Sequence, residues 1–175
     1  IAVAVLSGRG PIVVVEPSPT RREMATHLGA HAVHEPGTPL ADLLSDIGWR
    51  RPTISPLLDA DPVVATIFEC VGSPVPVQTI LAQAPAHSRV VLAGACTAPV
   101  EISPLQLTTT EVTVETTYAY RQADLVAAAA HLQARPDVFE RFITREVGLD
   151  GAAAAFDALA TDPREVKVLI HPSHA

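Results

Sequence analysis

Three short β-branched runs constrain the fold of this chain more than any other feature. They occupy residues 11–16 (PIVVVE), 63–70 (VVATIFEC) and 89–93 (RVVLA), and their apolar residues are largely consecutive rather than alternating. A continuous apolar run of this length is typical of a strand that is buried on both faces of a parallel sheet. The sequence therefore predicts an α/β fold.

Helical segments lie between these runs. Ser18 is expected to cap a helix with Pro19 in its first position, and Gly29 is expected to end it. Residues 75–84 have apolar side chains at helical spacing and stop before Pro85. Strands and helices in alternation imply right-handed crossovers and a doubly wound, mostly parallel sheet with helices on both faces, which is a Rossmann-like fold.

Weaker patterns continue the alternation. The expected strands are residues 32–34, 100–102, 112–115 and 166–170, and the expected helices are residues 40–47 and 122–133. A last helix is expected to be capped by Asp150 and to bury Phe156 and Leu159. Residues 49–62 contain three prolines and are expected to form a loop or an irregular turn.

Composition excludes several function classes. The net charge is −7, and the 12 Lys and Arg residues form no run longer than two, which disfavours nucleic-acid binding. No apolar run approaches the roughly 18–20 residues of a membrane-spanning helix. Two cysteines, Cys70 and Cys96, supply neither a disulfide framework nor a four-cysteine zinc site. We expect a soluble, cytoplasmic protein in a reducing compartment.

The first seven residues are apolar all round and stop at Gly8 and Gly10, as the end of a buried helix does. A helix of two turns makes too few hydrogen bonds to offset the free-energy cost of helix nucleation. We therefore expect the start of this helix, a first strand and a glycine-rich turn to lie upstream of Ile1. The Gly-Arg-Gly at residues 8–10 is expected to be a loop.

Glu16 is the first candidate for a functional role. It stands at the carboxyl end of the first strand, directly before the helix that Ser18 caps. In dinucleotide-binding folds an acid at this place accepts hydrogen bonds from the adenosine ribose hydroxyls. The alternative is a solvated turn residue, and the residue alone leaves both interpretations open.

Other candidates are weaker. His27, His31 and His34 have the spacing of metal ligands, but Gly29 separates them, which favours solvated histidines. Cys70 and Cys96 have no adjacent basic residue that would lower the thiol pKa. They are therefore expected to be small side chains of the core or the cleft rather than reactive thiols. Glu69 could move protons, although a salt bridge at the strand end is the commoner role. Tyr118 and Tyr120 could face a substrate or the core.

Five segments resemble, in order and over nearly the whole chain, the zinc-type medium-chain alcohol dehydrogenases. They are PIVVVEPSPTRREMATHLGAHAV, FECVGSP, SRVVLAGAC, EVTVETTYAYRQADL, and REVGLDGAAAAFDAL followed by EVKVLIHP. The resemblance implies a partial NAD-binding domain over residues 1–135 and, over residues 136–175, a segment that returns to a catalytic domain.

The resemblance also implies roles for single residues. Glu16 would bind the adenosine ribose, Arg21 would lie near the same end of NAD, and Lys167 would contact the pyrophosphate. The cofactor cleft would be lined by Cys70, Val71, Gly72, Ala93, Gly94 and Ala95. The zinc ligands and the glycine-rich turn of the family belong to segments absent here, so no catalytic residue and no metal ligand is assigned.

The expected function is zinc-assisted hydride transfer between NAD and a small alcohol or aldehyde in the complete protein. The chain alone is expected to be inactive, and the complete protein to form a homodimer or homotetramer, with residues 100–102 pairing across a two-fold axis. Two alternatives remain: a methyltransferase that uses S-adenosylmethionine, and a non-catalytic nucleotide-binding module. The closing helix and strand at residues 150–170 speak against the methyltransferase.

Overall fold

The computed structural model describes residues 8, 10–48 and 64–172, which fall into two compact units. Unit 1 comprises Ile1–Thr38 and Arg121–Ala175, and unit 2 comprises Pro39–Tyr120. The helix expected at residues 1–7 and the loop expected at residues 49–62 lie outside the described residues. Within the described segments, no helix has the length and apolar character needed to cross a bilayer.

The first part of unit 1 is a strand–helix–strand repeat. Strand β1 (Val13–Val15) pairs in parallel with β2 (Ala32–His34), and helix α1 (Pro19–His27) connects them. Ser18 caps α1, because its hydroxyl oxygen accepts a hydrogen bond from the Arg21 N–H at 3.3 Å. Past the helix end, Gly29 has a φ of +91°, which favours glycine. These elements confirm the expected strand, cap, helix and stop.

The remainder of unit 1 forms a second parallel pair. Strands β6 (Ile143–Gly148) and β7 (Lys167–His171) are hydrogen-bonded to each other. The helices of this part are α5 (Gln122–Ala134), α6 (Pro136–Phe139) and α7 (Ala152–Thr161).

The expected start of α7 is wrong. Asp150 lies in a short 3₁₀ turn, Leu149–Gly151, and Gly151 rather than Asp150 stands at the helix cap. In the helix that follows, Ala155 is buried whereas the Phe156 side chain is 69% exposed. The helix therefore buries the small Ala155 rather than Phe156, which was expected on its buried side.

Unit 2 is built on a three-stranded parallel sheet. Its strands are β3 (Thr66–Glu69), β4 (Arg89–Leu92) and β5 (Thr113–Thr116), in the order β3-β4-β5. The helices are α2 (Leu40–Ser45), α3 (Pro74–Gln83) and α4 (Pro104–Thr110). The core consists of Val77, Leu81, Ala84 and Val90. Parallel strands that alternate with helices, as in both units, define a Rossmann-like α/β fold.

Residues 100–102 do not form the expected strand. They are irregular and lead into α4, which Ser103 caps by accepting the Gln106 N–H. Val100 packs against the core of unit 2, while Glu101 and Ile102 are exposed. A strand requires a hydrogen-bonded neighbour, and no described strand of this chain pairs with these residues. Their pairing with a second copy stays a prediction.

Val90 is expected to contribute strongly to stability, since its side chain is completely buried under α3. Val90→Ala should lower the free energy of unfolding by about 2 kcal/mol, because two buried methyl groups are lost and a cavity remains. The control is Val75→Ala at a side chain that is 70% exposed, where a change within about 0.5 kcal/mol is expected. Urea unfolding of both variants measures this, and equal losses would contradict the assigned core.

Candidate cofactor site

Glu16 lies in a well-ordered turn at the carboxyl end of β1. Its backbone N–H donates to the His34 carbonyl at 3.0 Å, which extends the β1–β2 pairing by one hydrogen bond. Its half-buried carboxylate accepts the Ser18 N–H at 2.9 Å through one oxygen. A carboxylate has about four acceptor positions, so further hydrogen-bond donors can bind there.

Arg21 contacts the segment that leads into Lys167. The Arg21 guanidinium donates to the Glu165 carbonyl at 3.3 Å, and Lys167 stands two residues further, exposed, at the start of β7. The buried Glu165 carboxylate accepts hydrogen bonds from the Thr144 hydroxyl at 2.7 Å and from Arg145. These two contacts lower the pKa of Glu165. Glu165 therefore links the helix that follows Glu16 to the strand pair that carries Lys167.

In unit 2, Glu69 holds the turn at the end of β3. Only 2% of the residue is exposed, and its carboxylate accepts the N–H groups of Val71 at 2.7 Å and Gly72 at 3.0 Å. No ion pair of Glu69 occurs among the residues that the structure describes, and its carboxylate instead accepts the amides of its own turn. The salt bridge expected for Glu69 stays a prediction. A signal was present in the sequence: an acid at the end of a buried strand, three residues before a glycine.

The turns after β3 and β4 touch each other through their backbones. A methyl group built on Gly94 would lie 2.2 Å from the Gly72 nitrogen and 2.8 Å from a Glu69 carboxylate oxygen. Gly72 has a φ of +74°, and a methyl group there would lie 2.6 Å from the Ala95 nitrogen. Side chains are therefore excluded from both positions. The result is a bare backbone surface at the carboxyl edge of the sheet, where parallel α/β folds bind ligands.

The other expected cleft residues in unit 2 belong to the same two turns. Cys70 and Val71 are exposed beside Gly72, and Ala93 and Ala95 are exposed on either side of Gly94. Desolvation and the neighbouring Glu69 charge raise the pKa of the Cys70 thiol. A raised pKa favours the neutral thiol, which agrees with the expectation that Cys70 is not a reactive nucleophile.

The structure divides the candidate residues between the two units. Glu16, Arg21 and Lys167 lie in unit 1, whereas the residues of the Cys70 and Gly94 turns lie in unit 2. Tyr118 and Tyr120 do not pack in the core, since both are largely exposed. Their position on a substrate side stays a prediction.

The described donors do not fit a zinc ion. No group of three or more His, Cys, Asp or Glu side chains with metal-binding geometry occurs within the described part of the chain. His31 instead accepts the Ile12 N–H at 3.0 Å through Nδ1, and Nδ1 of His27 lies 2.9 Å from the Glu23 carbonyl oxygen.

Comparison with known proteins identifies the family. The model of the zinc-binding dehydrogenase family matches residues 1–134. The chain therefore belongs to the zinc-binding dehydrogenases, as its resemblance to zinc-type medium-chain alcohol dehydrogenases predicts. No protein of curated function matches the chain by sequence.

Solved structures share the fold. A galactitol-1-phosphate dehydrogenase from Escherichia coli has a TM-score of 0.75 at 19% identity, over 98% of this chain and 49% of its own. A 2R,3R-butanediol dehydrogenase from Bacillus subtilis has a TM-score of 0.72 at 20% identity, over 98% of this chain and 47% of its own. A short chain alcohol dehydrogenase from Escherichia coli, solved with NADH, has a TM-score of 0.72 at 19% identity, over 97% of this chain and 47% of its own. The chain thus spans about half the length of these relatives.

The backbone contact between the two turns generates a steric prediction. Gly94→Ala should lower the free energy of unfolding by about 1–3 kcal/mol, because its methyl group would overlap the Gly72 backbone and force the turns apart. Gly10→Ala is the control, since its added methyl would meet only the His31 side chain, at 3.2 Å, and no backbone atom within 4 Å. Chemical denaturation of both variants measures this, and a Gly94→Ala protein as stable as the control would contradict the contact.

The role of Glu69 generates an electrostatic prediction. Glu69→Gln replaces one acceptor oxygen by an NH₂ group that faces backbone N–H donors, so the free energy of unfolding should fall by about 1–3 kcal/mol. Glu101→Gln removes the same charge at an exposed position of unit 2. It should change the free energy of unfolding by no more than about 0.5 kcal/mol. Matching denaturation midpoints for the two variants would show that the Glu69 carboxylate does not hold the turn.

Proposed function

We propose that this chain is the nicotinamide-cofactor half of an NAD-dependent dehydrogenase that oxidises a small alcohol or polyol. The observation that carries the proposal is the position of Glu16, whose carboxylate lies directly after a parallel strand and beside a capped helix. Family membership and the NADH in one similar structure support it. In the bound state NAD would supply the chemistry by accepting a hydride.

In unit 1, Glu16 would hold the adenosine ribose. Its remaining acceptor positions suit two neighbouring hydroxyl groups, which are strong donors to a carboxylate. Arg21, in helix α1, would lie near the same end of NAD, and Lys167, at the start of β7, would contact the pyrophosphate. We further propose the boundary near residue 135 between the cofactor domain and the segment that returns to a catalytic domain.

In unit 2, the turns at Gly72 and Gly94 would provide the flat surface for the nicotinamide side of the cofactor. The lack of side chains at these two residues would let an aromatic ring approach the backbone closely. Cys70, Val71, Ala93 and Ala95 would form the exposed margin of that surface. Their small or apolar side chains would exclude water without competing for hydrogen bonds.

The remaining parts of the enzyme are proposed for the full-length protein. Because the chain spans about half of its solved relatives, we propose that zinc ligands and the phosphate-binding turn lie in other segments. The 175 residues alone should then have no dehydrogenase activity. We also propose a cytoplasmic homodimer or homotetramer that binds neither nucleic acid nor membranes.

Ligand titration tests the proposal against its alternatives. NADH should bind to the full-length protein and S-adenosylmethionine should not, and NAD should be reduced in the presence of an alcohol or polyol. Binding of S-adenosylmethionine alone would indicate a methyltransferase. NADH binding without turnover of any alcohol or polyol would indicate a nucleotide-binding module.

Glu16 generates a specificity prediction for the full-length enzyme. Its carboxylate would repel the 2′-phosphate of NADP, so NAD should be preferred by about tenfold or more in kcat/KM. Glu16→Ser should shift the ratio toward NADP, since a hydroxyl carries no charge. Glu23→Ser, an exposed acid on α1, is the control and should leave the ratio nearly unchanged. Equal use of both cofactors by the unmodified enzyme would mean that Glu16 is only a turn residue.

A further inference from the structure

Both strands of the first parallel pair are followed by an acid. Glu16 comes directly after β1 and Glu35 directly after β2, and the register pairs Val15 with His34, the residues that precede these two acids. Parallel strands that are in register bring their carboxyl ends to one edge of a sheet. Two carboxylate residues therefore stand side by side at the edge where the proposed adenosine site lies.

Arg22 joins these two acidic positions. Its Nη1 donates to the backbone carbonyls of Glu16 at 2.9 Å and Pro17 at 2.7 Å, and its Nη2 donates to the Glu35 carboxylate at 2.6 Å. The Arg22 side chain is only 19% exposed, whereas that of Glu35 is 72% exposed. The guanidinium is thus held against the Glu16 turn from one side and neutralised by Glu35 from the other.

This arrangement affects whether the site can bind a ribose that carries a 2′-phosphate. An arginine near the ribose is the group that accommodates the 2′-phosphate of NADP. Arg22 lies at that turn, but its Nη2 is engaged by Glu35 and its charge is compensated. A 2′-phosphate would meet the Glu16 carboxylate while the charge of the neighbouring Arg22 is already compensated by Glu35.

We propose that Glu35 is a specificity-determining residue, which excludes a 2′-phosphorylated nucleotide by engaging Arg22. The inference rests on the proposed function, because it places the adenosine ribose at Glu16. Glu35 acts through Arg22 and does not itself contact the ribose. Removal of its charge frees Nη2 of Arg22 for an anion at the same turn.

The experiment uses two probes that differ only in the 2′-phosphate, adenosine 5′-monophosphate and adenosine 2′,5′-bisphosphate. The Kd of each is measured by calorimetry on the full-length protein and on Glu35→Gln. The unmodified protein should bind the monophosphate more tightly. Glu35→Gln should shift the ratio of the two Kd values toward the bisphosphate by about fivefold or more, since one negative charge near the site is removed.

Two controls separate this role from general charge and from stability. Glu23→Gln removes the same charge from an exposed position next to Arg22 in sequence, and it should shift the ratio by less than about twofold. Arg22→Gln introduced into the Glu35→Gln protein should abolish the gain, because the freed guanidinium is then absent. A loss of folding would weaken both probes alike and leave the ratio unchanged.

The outcomes distinguish the inference from the proposed function. If the protein binds the monophosphate and NADH but Glu35→Gln shifts the ratio no more than Glu23→Gln, the role of Glu35 is overturned and the proposed function stands. A gain that persists without Arg22 also overturns it. If neither the monophosphate nor NADH binds to the unmodified protein, both the proposed function and the inference fail.

Discussion

The close approach of two backbones, at Gly72 and Gly94, is the constraint on which the candidate site in unit 2 depends. A nitrogen 2.2 Å from where a methyl would stand leaves no room for any side chain at Gly94. The approach is held by one residue: the Glu69 carboxylate accepts amides from its own turn, and its carbonyl accepts the N–H groups of Ala93 and Gly94. A single buried acid thereby fixes the turns of two neighbouring strands.

Helix packing adds a second anchor to the turn after β3. Helix α3 begins at Pro74, two residues after Gly72, and packs its Val77 and Leu81 against Val90 on the central strand. The turn between β3 and α3 is thus fixed at one end by the Glu69 hydrogen bonds and at the other by the hydrophobic core. A surface formed by such a turn keeps its shape without side chains of its own, and preorganisation of this kind reduces the entropy lost when a ligand binds.

The sequence predicted the strands and helices well where periodicity and turn residues agreed. The β-branched runs gave β1, β3 and β4, and Ser18 with Pro19 gave the start of α1. The prediction failed where the outcome depended on a neighbour: residues 100–102 lack a pairing partner among the described strands, and α7 buries Ala155 rather than Phe156. Periodicity describes one element at a time, so it carries no information on such contacts.

The two acids at Glu16 and Glu69 show the same limit at the level of the site. Each stands where a parallel strand ends, and each accepts the backbone N–H of the residue two positions on, through one carboxylate oxygen. Their sequence pattern is therefore similar, but their surroundings differ. The turn after β4 lies over Glu69 and leaves it 2% exposed, whereas Glu16 is half-buried. Burial leaves the Glu69 carboxylate to its backbone donors, whereas the half-buried Glu16 carboxylate stays accessible to a ligand. This difference in burial cannot be read from the sequence pattern that the two acids share.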